Sequence, residues 1–448
     1  MKKWLLRIGL GFLSLLVLLY LFVCLRSILP ATVLDKDLRL ERANIPEGSN
    51  AFDVLQVASS HFWWPDDAER EKYDAQKNSD FPMAGLSDWG KKTDHISAYL
   101  LSTTNWDDQL ANTVLNNNRE TLAAWDEAVG LPDLQVPEIF TVADLMSYLP
   151  NWKRLAQLAE VRENYLMHNG QEKAAFDQMV NQVMLGRKMQ NSHSILIGYL
   201  VGTAVNSMGL NQIQRWAGKT QLTPRQLENY IRQLEQDPDE SAAAYANTIK
   251  AEYQCQIGTL DAMRQGKLVD PDTGKNLIKA KPLLPVYNRS QTRALFANAS
   301  LMLVKSAAHP YKDAKLPDFS NRPNPVALIF SGNLVGQVMY YMTMPAVIPS
   351  LAQKAKCDVQ LQATRTILAL RAYQLTHGNL PPDLNALVPE FLDEVPVDDF
   401  NGLPLHYSAE RKIVYSVGKN LMDDGGDDRN SDVPDSQRHL DLVYRFDF

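Results

Sequence analysis

Between Arg7 and Arg26 the chain runs for eighteen residues, Ile8 to Leu25, without a charge, and the run is rich in Leu, Val and Phe. As a helix rising about 1.5 Å per residue it spans about 27 Å, close to the roughly 30 Å hydrocarbon core of a bilayer. Lys2, Lys3 and Arg7 precede the run, whereas Arg26 alone follows it closely. This asymmetry predicts a membrane helix with its N-terminus in the cytoplasm and the rest of the chain outside. A cleaved signal peptide is the rival reading. Its apolar region would be shorter, and with Ala31 as the last leader residue, Leu29 would occupy a position that calls for a small side chain. Leu-Phe-Val before Cys24 likewise lacks the small residue of a lipoprotein signal.

The remaining chain has ordinary globular composition, and 448 residues allow two or three domains with cores of their own. The formal net charge is −7 and no Arg/Lys run stands out, which argues against a nucleic-acid partner. Cys24 falls in the membrane segment. Cys255 and Cys357 are expected as two buried free thiols or as one bridge in an oxidising compartment.

The fold class expected is mainly α. A membrane anchor occupies 1–30, and a mixed, Trp-rich ectodomain region occupies 31–150. An α-helical bundle domain follows at 151–352, and a small α+β module at 353–448. Leu155, Leu158, Ala159, Arg162, Tyr165 and Leu166 keep helical spacing before an Asn169-Gly170 stop. Ala175, Phe176, Met179, Val180, Val183 and Met184 repeat the stripe. Ile195–Leu210 is almost wholly apolar and carries Gly198 and Gly202, a spacing that predicts close helix packing in a bundle. Thr223-Pro224 caps a further helix, and others follow at Ser241–Gln265 and Arg289–Ala308. Asn324 to Leu351 lacks charge and competes for a second membrane span, but Asn333, Gln337, Pro345 and Pro349 favour a core helix with an interrupted end.

From Cys357 onward, Leu361, Leu368 and Leu375 mark one apolar helical face that stops at His377-Gly378. A short helix at Asp383–Val388 and strands at Leu405–Tyr407, Ile413–Val417 and Leu440–Phe446 follow, with a Gly/Asp-rich loop at 418–435. A long helix lying on a small antiparallel sheet is the expected result.

The order Ala372-Tyr373, His377-Gly378, Leu380-Pro381, Leu387-Val388-Pro389, Val395-Pro396 and Asp398 through Gly402 resembles the major pseudopilin of type II secretion. So does Tyr415-Ser416-Val417-Gly418 before an Asp/Gly loop. The resemblance covers roughly the last ninety residues, and the whole chain looks like a group of uncharacterised bacterial membrane-anchored proteins. Three departures stand out: the N-terminal apolar run has no Glu, the pseudopilin-like helix lies far downstream of it, and Asp399 replaces a Pro. Assembly through a processed N-terminal helix is therefore not expected.

The resemblance implies a calcium ion in the Asp/Gly loop, where hard oxygen ligands on a glycine-loosened backbone suit that cation. Matching loop positions assigns Asp424, Asp427 and Asp428 to it, with Ser416 beside them. Residues 379–448 hold fifteen acidic and six basic side chains, so the tail is strongly negative. The loop is not an EF-hand, because the twelfth position counted from Asp423 is Pro434. A solvated acidic turn is the alternative reading.

No catalytic residues are assigned. The eight histidines form neither HExxH nor HxxxH, and Gly85–Lys91 has P-loop spacing but Lys92 where a hydroxyl is needed. Ser416 and Lys419 match SxxK, but at a strand end. The expected function is a bacterial inner-membrane protein without evident catalytic motif, held in lipid through residues 8–25. Its bulk would face the periplasm and act in interaction or assembly with secretion or pilus-type components. The alternative is an envelope hydrolase or glycan-binding protein using Trp63, Trp64, Trp89, Trp106 and Trp125.

Overall fold

A computed structural model describes residues 2–63, 100, 106–144, 146–270, 274–276, 287–319, 324–427 and 441–448, with backbone alone at 2–12 and 325. The first helix, α1 (Lys2–Ile28), is followed by α2 (Ala51–Ser60), α3 (Asp108–Asn117) and α4 (Arg119–Gly130). Three long helices then form the centre: α5 (Tyr148–His168), α6 (Glu172–Gln190) and α7 (Leu196–Ala217). Next come α8 (Pro224–Gln233), α9 (Pro238–Gln265) and α10 (Arg289–Ser306), then α11 (Pro325–Phe330), α12 (Leu334–Val347) and α13 (Ser350–His377). Strands β1 (His406–Ser408), β2 (Ile413–Ser416) and β3 (Leu442–Arg445) form one antiparallel sheet in that order. The chain is therefore mainly helical with a small antiparallel sheet near its C-terminus, as the patterning predicts.

Local chemistry sets most boundaries. Asn169 and Gly170 end α5, with Gly170 at φ 69° and the Gln171 amide bonded back to the Leu166 carbonyl. Thr223 and Gln226 make a reciprocal capping box at α8, with Pro224 in the first turn. Gly378, at φ 82°, terminates α13. That helix starts at Ser350, earlier than the Cys357 stripe suggests, because Pro349 ends the preceding segment.

Close approach of α6 and α7 depends on glycine. A Cβ on Gly202 would lie 2.6 Å from the Gln190 nitrogen, and one on Gly186 would lie 2.5 Å from the Asn206 nitrogen. Gly209 meets the Met179 carbonyl in the same way. Gly198 instead faces Ser194 on its own approach turn, so only one member of the GxxxG pair sits in the interface.

One apolar core runs from Phe176, Leu210 and Leu227 on the helical body to Ile367, Leu370, Val414 and Phe446 in the C-terminal region. A second joins α2 and α4 to α5 around Trp125 and Trp152, and a third binds α9, α10 and α12 around Tyr245 and Phe296. The long helix α13 lies against α7 and α8 as well as the sheet.

The charge-free stretch at 324–351 breaks at Gly332 (φ 72°) into α11 and α12. Among the described residues no helix is long and apolar enough to cross a membrane. The apolar run at 8–25 falls only partly within them, because side chains of α1 are described from Leu13 onward.

Candidate functional site

The acidic loop leaves β2 and lies back across it. Gly426 sits so close to the sheet that a Cβ there would be 2.7 Å from Ile413 Cδ1 and 3.1 Å from Tyr415 Cδ1. Arg411 donates from its guanidinium to the Gly425 carbonyl and, at 2.7 Å, to the Gly426 carbonyl. Asp441, at the start of β3, accepts the Gly426 amide at 2.7 Å and is buried. Its Oδ1 has no hydrogen-bond partner among the described residues. Burial lifts the Asp441 carboxyl above its usual range. Hydrogen bonds from the Gly426 and Asp424 amides oppose the lift, and the charges of Asp424 and Asp423 add to it.

Of the four residues singled out for calcium, Ser416, Asp424 and Asp427 lie within the described residues. Asp424 accepts a hydrogen bond from Asn420 Nδ2 at 3.2 Å, and Asp427 is half-buried in the same loop. Asp428 lies outside the described residues. Ser416 is fully buried, and its Oγ donates to Asp398 Oδ1 at 2.9 Å while accepting from the Gly418 amide at 3.0 Å. Alternation along β2 points Ser416 to the face opposite Tyr415, on which Gly426 rests. The role visible for Ser416 is to fix Asp398. That carboxylate also takes the Val417 amide at 3.0 Å and the Phe400 amide at 2.9 Å, closing the 398–402 turn. Among the described residues no group of three or more His, Cys, Asp or Glu is arranged to hold a metal ion. The donor chemistry in the loop is carboxylate oxygen, and Asp441 Oδ1 is a buried oxygen without a hydrogen-bond partner among the described residues.

Two charged clusters escape a sequence reading. At the junction of α13 and the C-terminal turn, Lys354 Nζ lies 2.9 Å from Asp358 and 3.3 Å from Asp399. Ser241 of α9 donates to Asp358 at 2.8 Å. Burial works against the Lys354 charge, but the two carboxylates outweigh it and hold the ammonium charged. Burial pushes Asp399 up to about 7 against the attraction of Lys354, and Asp358 adds repulsion. Asp399, which stands where the resemblance expects Pro, thus ties the tail to the helical body. Its carbonyl also accepts the Tyr311 amide at 2.8 Å.

The second cluster lies between α5, α6 and α7. Glu160 is 8% exposed and Glu163 is fully buried. Gln212 donates to Glu160 Oε1 at 3.3 Å, and Gln182, with its amide turned to donate, reaches Glu163 Oε1 at 3.2 Å. Desolvation raises Glu160 to about 7, opposed by Arg215 and the Gln212 hydrogen bond. Desolvation, then the neighbouring Glu160, raises Glu163 well above the usual range. Beside them Trp216 Nε1 donates to Asn164 Oδ1 at 3.2 Å. Both acids are enclosed by α5, α6 and α7.

The described tryptophans of the 61–125 region are used in packing. Trp125 is buried, and Trp63 is half-buried with its amide bonded to Asn118 at 2.8 Å. Trp106 stacks on His168 with ring centroids 4.5 Å apart. Trp64 and Trp89 lie outside the described residues, as does the Gly85–Lys91 spacing. Cys24, Cys255 and Cys357 are all free thiols, and the last two are buried. An open cleft of about 340 Å³ is lined by Asn211, Gln214, Arg215, Lys219, Arg445 and neighbouring residues.

No family model matches this chain, no curated protein matches its sequence, and no solved structure matches it.

Proposed function

We propose that this chain is a single-pass protein of a bacterial inner membrane whose helical body and C-terminal module face the periplasm as an interaction or assembly platform. The observation that carries the reading is the state of α1. Apart from half-buried Val23, its large apolar side chains from Leu13 to Leu25 stand 36–63% exposed, while the segment just beyond is bonded to the body. Asn288 Nδ2 donates to the Leu29 carbonyl at 2.7 Å, and the Ala31 amide donates to Ser290 Oγ at 3.0 Å. Asp35 accepts from Tyr253 at 2.7 Å and pairs with Arg293 at 2.5 Å. An apolar helix left exposed by the described residues and hydrogen-bonded at its end to a folded body suits insertion in lipid.

A long helix on a three-stranded antiparallel sheet supports the pseudopilin-like reading of the tail, and with it a secretion or pilus-type partner. Crosslinking in native membranes, followed by identification of what copurifies, tests this. Recovery of secretion or pilus components supports the reading, and recovery of cell-wall enzymes or glycan refutes it. Calcium at the acidic loop belongs to the same proposal and rests on the unpartnered Asp441 Oδ1. Asp424, Asp427, Asp428 and Asp441 would hold the ion, which would neutralise the clustered charge and fix the loop on β2. Melting in millimolar calcium against excess chelator tests it, because a ligand that binds the native state raises stability by mass action. An unchanged melting temperature removes calcium from the proposal.

A further inference from the structure

We infer that α11 and α12 form a second lipid contact, an interfacial element that lies in the bilayer surface beside the end of α1 without crossing it. Residues 324–351 contain no Asp, Glu, Lys or Arg in a chain that is 22% charged. The two helices nevertheless turn large apolar side chains outward: Val326 is 58% exposed, Ile329 53%, Val338 39% and Met342 71%. An uncharged, outward-facing apolar surface costs free energy in water and is stabilised against acyl chains.

Placement beside α1 selects lipid as the occupant. The turn between the two helices meets the end of α1 backbone to backbone: a Cβ on Gly332 would lie 2.5 Å from the Ser27 nitrogen. Asn333, buried next to Gly332, accepts from the Asn288 amide and from Thr292 Oγ1, both at 2.9 Å. Asn288 in turn holds the Leu29 carbonyl at 2.7 Å. The depth of α11 and α12 is therefore set by the point at which α1 leaves the membrane. Exposed Ile28 and Leu29, 73% and 45%, continue the same apolar surface. Length excludes a second crossing, because fourteen residues of α12 reach about 21 Å at 1.5 Å per residue against a core of roughly 30 Å. An apolar stretch of about ten to fourteen residues is too short to span, and one joined to a membrane helix is suited to lie at the interface.

The inference rests on α1 being a membrane anchor, and the test separates the two. The full chain, in a Cys24→Ala background, receives a single cysteine by Met342→Cys, Val326→Cys or, as a remote control, Val57→Cys, which lies 56% exposed on α2. Each is labelled with an environment-sensitive fluorophore and reconstituted into vesicles of phosphatidylcholine and phosphatidylglycerol. Nitroxide-bearing lipid should remove most of the emission at 326 and 342 and leave 57 unchanged, while aqueous iodide should do the reverse. Vesicle-bound protein whose 326 and 342 labels respond only to iodide overturns the inference and leaves the anchor standing. Labels shielded from both quenchers, with crosslinks between copies, assign the face to a second copy and also overturn it. Protein that does not float with vesicles removes the anchor and this inference together.

Discussion

Replacing Glu160 by Gln isolates the pH dependence built into the helical body. Glu160 is 8% exposed, and its carboxyl is raised from 4.5 to about 7, chiefly by desolvation. The folded protein therefore keeps a proton that the unfolded chain has already released in that interval. Stability is unaffected below about pH 4.5, falls as pH rises toward 7, and carries a constant penalty above it. At about 1.4 kcal/mol per pH unit the penalty amounts to about 3 kcal/mol. Glu160→Gln keeps the volume and an acceptor for Gln212 while removing the titration. The variant should match the parent near pH 4.5 and exceed it by about 3 kcal/mol at pH 8. Urea unfolding of the full chain in detergent, followed by tryptophan fluorescence between pH 4.5 and 8, reads this directly. A difference between variant and parent that stays constant across that range would refute the reasoning, because a constant offset means the charge is not what burial penalises.

Other substitutions probe the remaining contacts. Gly202→Ala should destabilise by about 1–3 kcal/mol despite alanine's better helix propensity, because the added carbon meets the α6 backbone. Gly130→Ala, at the end of α4 with open space around it, should be neutral or stabilising in the same denaturation assay. Lys354→Met leaves Asp358 and Asp399 without their shared cation and should cost about 3–5 kcal/mol at pH 8. The loss should shrink at pH 5.5, where Asp399 takes up a proton, and limited proteolysis should release the C-terminal module faster at the higher pH. Ser416→Ala removes one donor from buried Asp398 and should cost about 1–3 kcal/mol. It should leave any calcium-induced rise in melting temperature intact, whereas Asp441→Asn should reduce that rise. Equal loss of the calcium response in both variants would return Ser416 to the metal site.

Local order was legible in the sequence. The apolar stripes of α5 and α6, the Asn169-Gly170 and His377-Gly378 stops and the Thr223-Pro224 cap each depend on residues within a few positions of one another. The three strands fall within two residues of their expected bounds, since period-two alternation and turn residues are local as well. The chemistry of the buried groups was not legible. Glu160 and Glu163 read as ordinary charged positions on α5, and only the packing of α6 and α7 strips their water. Asp399 finds Lys354 across forty-five residues, and Ser416 finds Asp398 across eighteen. Asp441 lies outside the Gly/Asp-rich run that drew attention to Asp424, Asp427 and Asp428, and sheet pairing brings it to Gly426. The sequence by itself determined the stops and caps of the central helices, the approximate bounds of the strands and the presence of an uncharged run near Arg7, because propensity, capping and periodicity are properties of neighbours. Tertiary structure alone decided which acids are buried, which carboxylates share a cation, and where the charge-free stretch at 324–351 turns its apolar side chains. Desolvation and pairing are set by elements that arrive from elsewhere in the chain.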